Sequence, residues 1–342
     1  MNNSTFKIVI IGLFILTLVG FSALNVTPIY FDVPKNWPAP AYNFKNNPLT
    51  EEGFQLGRAL FYDPILSRDN TISCSSCHLQ QTGFTHVDHE LSHGIDGQIG
   101  TRNSLTLQNL AWAKNFMWDG GVNHLEMQAI GPITSPFEMD ESVKNVVSKL
   151  QSSNKYQQLF FRAFRTDKIT GQMVLKSLSQ FVVCLVSSNS RYDQMIRNEI
   201  QFTNVEQNGY NLFKKNCASC HQEPLFSNNK FENNGLEVDV ALNDFGRMKI
   251  TQKPDDSLKF KVPTLRNVQF TFPYMHDGRF KTLNEVTKHY SSGIVNSKTL
   301  AKPLQNDMHL TDANRVELIA FLKTLTDTAF LFNPKYGYPR DK

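Results

Sequence analysis

The longest apolar run in the chain lies at its start. Ile8–Leu24, "IVIIGLFILTLVGFSAL", is seventeen residues without a charge, preceded by Lys7. A short basic segment followed by an apolar one is the pattern of an export signal. Because a bilayer crossing needs about 20 residues, the same segment also suits an uncleaved anchor. Residues 1–28 are therefore set apart as a signal peptide or N-terminal membrane anchor, and export to the periplasm is expected. Further along, polar caps precede shorter apolar clusters. Thr50 with Glu51 and Glu52 opens a helix that contains "GRALF" (57–61), and Thr203 with Glu206 forms a capping box ahead of "GYNLF" (209–213). The apolar stretch "LSQFVVCLV" carries Cys184, read as an inert buried thiol.

Composition adds limits. The chain has 342 residues, enough for two ordinary domains, with 40% apolar and 19% charged residues, as in a folded globular protein. Net charge is +4 with no long basic run, so nothing points to nucleic acid. Twenty-six phenylalanines predict an aromatic interior.

Four of the five cysteines fall in two like groups, Cys74, Cys77, His78 and Cys217, Cys220, His221. A four-cysteine zinc site brings its two CxxC halves within about 15–20 residues, far closer than these. Two disulfides leave the adjacent histidines unexplained. Covalent haem c uses every residue: both thiols add to the vinyl groups, and the next histidine binds iron from one face. Two haem c groups are expected.

The flanks of the two groups match in register. "TLQN" (106–109) answers "TLRN" (264–267), "FMWDG" (116–120) answers "YMHDG" (274–278), and Leu125 answers Leu283. The offset is constant (264 − 106 = 277 − 119 = 283 − 125 = 158), which argues for an internal duplication. The copies differ where chemistry would. Glu126 stands opposite Asn284, and Pro132 opposite Tyr290. A tyrosinate can bind iron and a proline cannot. One haem should thus keep an open face beside a carboxylate suited to moving peroxide protons, and the other should be closed by a protein ligand. Trp112 and Trp118 lie in the first copy, where they could relay electrons or simply pack.

With these motifs the chain resembles the bacterial di-haem cytochrome c peroxidases and their MauG-type relatives over about residues 45–330. "LGRALFYDPILS", "SCSSCH", "HGIDGQIGTRNSLTLQN", "FMWDGGVNHLEMQAIGPI", "CASCH", "KFKVPTLRNVQFTFPYMHDG" and "LIAFLKTLTD" carry the resemblance. It implies a mainly α fold of two cytochrome c-like domains, each with one covalently bound haem c, at 45–198 (peroxidatic) and 199–342 (electron transfer). It implies His78 and His221 as proximal ligands and Glu126 as the catalytic carboxylate. Asn103 with the carbonyls of Lys261 and Pro263 matches the family's calcium site; oxygen donors suit calcium. His93 lies in the loop that carries a distal histidine in many resting peroxidases, where Ile95 occupies the family's position; His86 and His89 are its neighbours. Tyr290 stands where peroxidases place methionine and MauG-type proteins place tyrosine, with Met275 as the alternative ligand. The family's glutamine before Trp-Asp-Gly is here Phe116.

The expected activity is reduction of hydrogen peroxide to water with electrons from a small redox protein, a cytochrome c or cupredoxin. Two rivals are a MauG-like enzyme that oxidatively modifies a partner protein and a non-enzymatic di-haem carrier. A homodimer is compatible with the resemblance.

Overall fold

A computed structural model of the chain describes residues 26–306 and 308–339. The apolar segment Ile8–Leu24 lies outside the described residues. Among them no helix is long and apolar enough to cross a membrane. In chain order the helices are α1 (Glu51–Tyr62), α2 (Cys74–Cys77), α3 (Leu125–Gln128), α4 (Ile130–Thr134), α5 (Val143–Gln151), α6 (Asn154–Phe164), α7 (Gly171–Val183), α8 (Arg191–Ile196), α9 (Asn204–Asn216), α10 (Met248–Thr251), α11 (Leu283–Ser292), α12 (Asp312–Lys323) and α13 (Thr328–Leu331). A two-residue antiparallel ribbon, β1 (Phe231–Glu232) with β2 (Phe260–Lys261), is the sheet structure among the described residues. The fold is mainly α, as expected.

Each half opens on the capped helix that precedes its cysteine pair. The Thr50 hydroxyl accepts from Gly53 N at 3.0 Å. Thr203 and Glu206 cap reciprocally: Glu206 N donates to Thr203 Oγ1 at 3.3 Å, and Thr203 N to Glu206 Oε2 at 2.7 Å. Glu52 plays no part in the first cap. It accepts instead from Thr27 N at 2.9 Å and Thr27 Oγ1 at 3.0 Å, tying the N-terminal strap to α1. The two opening helices then cross a later helix at a glycine. A Cβ on Gly57 would lie 1.9 Å from the Ser177 carbonyl of α7; one on Gly209 would lie 1.9 Å from the Glu317 carbonyl of α12. The glycine of "GRALF" and that of "GYNLF" thus do the same job, letting two backbones meet.

The duplication extends to unusual backbone. Asn109 and Asn267, 158 residues apart, are both left-handed (φ 59° and 58°), as are Met117 and Met275 (66° and 78°). Asn109 N bonds to Leu185 O and Asn267 N to Leu325 O, at 2.8 and 3.0 Å. Between the copies, Gln108 Nε2 donates to Arg266 O at 2.6 Å, and the Asn267 amide donates back to Gln108 Oε1. Equivalent residues therefore hold the two halves together.

Packing crosses the division at 198/199 read from sequence. Tyr192, on α8, belongs to the second core with Phe213, Phe226 and Phe321. It enters that core because Asp193 beside it pairs with the fully buried Arg266, both guanidinium contacts being 2.8 Å. At the other end, Phe330 and Leu331 join the first core. Arg58 Nη1 reaches Lys335 O and Tyr62 Oη reaches Tyr336 O, both at 2.8 Å. The C-terminal segment thus returns to the first half rather than ending in the second.

Candidate active site

Two large, predominantly apolar cavities lie one in each half, of about 370 Å³ in the first and about 210 Å³ in the second. Cys74, Cys77 and His78 line the first; Cys217, Cys220 and His221 line the second. The turn after each cysteine pair aims the histidine. His78 Nδ1 lies 2.8 Å from Phe84 O, and His221 Nδ1 lies 3.1 Å from Phe226 O and 3.2 Å from Pro263 O. Phe84 and Phe226 both have left-handed backbone (φ 61° and 53°), which turns their carbonyls toward the rings. A carbonyl can only accept, so Nδ1 is the donor and Nε2 keeps its lone pair. Burial lowers His78 to about 4, offset in part by the Phe84 carbonyl, and lowers His221 as well. Neutral imidazoles oriented through Nδ1 are the form that ligates a metal through Nε2. Apolar cavities with paired thiols and such a histidine on the wall fit haem c.

The opposite walls come from α3 to Pro132 in the first cavity and from α11 in the second. Met117, Leu125, Gln128, Ala129 and Pro132 answer Met275, Leu283, Val286, Thr287 and Tyr290, each pair 158 residues apart and each lining its own cavity. Proline therefore faces the first cavity where a phenol faces the second. Burial pushes the Tyr290 phenol up to about 12, offset by a hydrogen bond from Asn234. Asn234 Nδ2 also donates to Met275 Sδ at 3.3 Å. Both candidate ligands of the second haem thus line its cavity, and the Asn234 amide reaches both of them.

Glu126 is half-buried on α3. It is not among the side chains lining the first cavity, whereas its neighbours Leu125 and Gln128 are. Its Oε1 accepts from Tyr42 Oη at 2.7 Å, and Asn47 Nδ2 donates to that same Oη at 2.9 Å. Burial, then the bond to Glu126, raises the Tyr42 phenol far above its ordinary value, so it remains a donor. Nothing in the spacing of the sequence signalled Tyr42. Phe116 is buried and lines the cavity, and Gln128 supplies an amide there instead.

His93 lines the first cavity near Cys77, whose Sγ lies 3.5 Å from His93 O. Its ring packs on His89 with centroids 4.1 Å apart, and His89 stacks on His86 at 5.1 Å. The tryptophans part company. Trp112 donates to Pro38 O at 2.7 Å and packs on Trp37, while Trp118 lines both cavities and donates to Asn103 O at 2.8 Å. Asn103 and Lys261 also line both cavities, and Pro263 lines the second. The three residues of the expected calcium site therefore all line the second cavity. There the Asn103 amide donates to Glu90 O at 2.9 Å and the Pro263 carbonyl already accepts from His221.

Residues 51–201 match the di-haem cytochrome c peroxidase family, and residues 206–326 match cytochrome c. The chain is 34% identical over 307 residues to the methylamine utilization protein MauG of Methylorubrum extorquens, covering 86% of this chain and 83% of that one. It is 32% identical over 277 residues to the cytochrome c551 peroxidase of Nitrosomonas europaea, covering 80% and 79%. The chain belongs to the di-haem cytochrome c peroxidase/MauG family. A solved MauG-like protein associated with microbial copper homeostasis superposes with a TM-score of 0.83 at 33% identity, covering 91% of this chain and 99% of that one. Family membership makes the protein an oxidoreductase with two haem c groups, one per cytochrome c domain, and sets aside the non-enzymatic carrier.

Proposed function

We propose that the protein reduces hydrogen peroxide to water in the periplasm with electrons delivered singly by a small redox protein, a cytochrome c or cupredoxin. The observation that carries this reading is Pro132 in the first cavity where Tyr290 stands in the second. Proline cannot bind iron, so this position offers the first cavity no ligand, whereas a phenol can close the second. The net reaction is H2O2 with two electrons and two protons giving two waters. When bound, the haem of the first cavity supplies the redox centre at which the O–O bond is cleaved. Glu126, next to the lining residue Leu125, would take a proton from one peroxide oxygen and return it to the other, which leaves as water. Tyr42 holds Glu126 through Oε1, and among the described residues Oε2 has no protein partner. Apolar side chains such as Leu110, Phe116 and Leu125 keep bulk water off the reacting atoms. Trp118, on the wall of both cavities, supports a route for electrons between the haems. Export is supported by Lys7 with Ile8–Leu24 and by haem c attachment itself.

Tyr290 favours a second reading, in which the oxidising equivalents are spent on a partner protein's side chain, as in MauG-type relatives. The two share the peroxide step and differ in its reductant. Mixing the holoprotein with peroxide and a reduced small cytochrome c tests both: catalytic oxidation of the cytochrome, lost in Glu126→Gln, is the expected result. Reaction with peroxide but no turnover of any reduced cytochrome c or cupredoxin overturns the peroxidase in favour of the second reading.

A further inference from the structure

The wall between the two cavities holds a charge without a counter-charge. Lys261 is the second residue of β2. Its backbone N donates to Trp118 O at 2.7 Å, and its side chain lines both cavities. Among the described residues its ammonium has no hydrogen bond and no carboxylate in ion-pairing reach, although ion pairs crowd the surroundings. Arg102 holds Asp119 at 2.6 Å and Asp244 at 2.6 Å, and Arg279 holds Asp277. The other basic groups on the cavity linings are Arg102, His78, His221, His276 and His93, the last packed on the His89 ring at 4.1 Å. Arg102 is neutralised by its two aspartates, His78 and His221 are neutral, and His276 is lowered by burial and packs on Phe260 at 3.7 Å. Of the lysines and arginines on the two linings, Lys261 is the one without a carboxylate partner among the described residues.

An ammonium on the wall of two apolar cavities with no protein partner is costly. Retaining it is reasonable if an anion arrives from outside the polypeptide. Each haem brings two propionates, and both cavities reach this one side chain. We propose that Lys261 is the anion-binding group shared by the two haem sites, its ammonium holding haem propionate at the wall between them. The inference rests on the di-haem reading of the cavities. It also places a cation where a calcium ion was expected, on one of the same three residues. A positive charge here favours the reduced state of a nearby haem, because reduction lowers the charge of the iron centre.

The test is a spectroelectrochemical titration of both haems in the full-length holoprotein, wild type against Lys261→Met and Lys261→Arg. K261M is expected to lower the midpoint of at least one haem by about tenfold in its one-electron equilibrium, about 59 mV, with K261R close to wild type and a calcium chelator without effect on wild type. Unchanged midpoints in K261M with two haems attached by mass overturn the proposal. So do midpoints that move with chelation and not with K261M, because the operative cation is then a metal. Wild type carrying fewer than two haems refutes the underlying reading instead. Should K261M fail to mature, Lys261→Gln carries the same expectation, since it keeps a donor and loses the charge.

Discussion

Removing one oxygen atom, in Tyr42→Phe, tests how the candidate carboxylate is held. The substitution deletes the 2.7 Å bond to Glu126 Oε1 and the 2.9 Å bond from Asn47. It leaves the ring packed on Phe44, with centroids 5.0 Å apart. Asn47 keeps its bonds to Lys176 O and Gln180, both at 3.0 Å, so the surrounding frame survives. A hydrogen bond to a charged group contributes about 1.5–3 kcal/mol. At about 1.36 kcal/mol per tenfold in rate, a Glu126 that works only when held by Tyr42 loses roughly 10- to 150-fold. The assay is stopped-flow mixing of the holoprotein with peroxide, following the Soret band, across a pH series. The expected result is a slow Y42F, a Glu126→Gln at least as slow, and a double variant no slower than Glu126→Gln alone, since both act through one carboxylate. A Y42F rate within about twofold of wild type, alongside a slow Glu126→Gln, refutes the positioning role and leaves the carboxylate's own role standing.

Three further outcomes are expected. Gly209→Ala puts a methyl 1.9 Å from Glu317 O on the helix crossing and should cost about 1–3 kcal/mol in denaturant unfolding, with Gly57→Ala similar; an unchanged midpoint would show that the helices can part freely. Burial raises the Asp244 carboxyl but Arg102 pulls it down further, from 3.8 to about 2. The folded state thus has the lower pKa, so about 2 kcal/mol of stability should be present above pH 4 and lost as pH falls from 4 toward 2. The stability gap between wild type and Asp244→Asn should shrink over that window; a constant gap contradicts it. Tyr290→Phe should raise the second haem's potential and change its ferric EPR signal, while Met275→Leu leaves both nearly unchanged; the reverse pattern assigns the ligand to Met275.

The two cysteine–histidine groups were legible because covalent haem attachment would need both thiols and the histidine in one short segment. The duplication was legible because a register of 158 survives in residues that each half needs, such as Asn109 and Asn267, whose left-handed backbone recurs at the same offset. The remaining features depend on contacts between distant parts of the chain. Tyr42 meets Glu126 across 84 residues, and Asn234 meets Met275 across 41; neither pair has a spacing rule. The contacts that cross the division between the halves were hidden for the same reason. Asp193 is drawn to Arg266, 73 residues away, and the final helix turn packs on the first core. Lys261 could be read in sequence as a carbonyl donor, but only the enclosing walls reveal that its ammonium lacks a partner.

The duplicated scaffold explains how one chain can build two cavities with unlike walls. Helix crossing, left-handed asparagine and histidine-to-phenylalanine-carbonyl contact are the same in both halves, so the proximal side is set identically. Differences accumulate on the opposite wall, where Pro132 answers Tyr290 and Gln128 answers Val286. These positions lie at a helix wall and can change without disturbing the crossing beneath. The wall between the cavities is constrained differently. Trp118, Asn103 and Lys261 each serve two sites at once, so a substitution there should alter both haems together. Distal-wall variants should therefore separate the two centres, and variants of the shared wall should move them in the same direction.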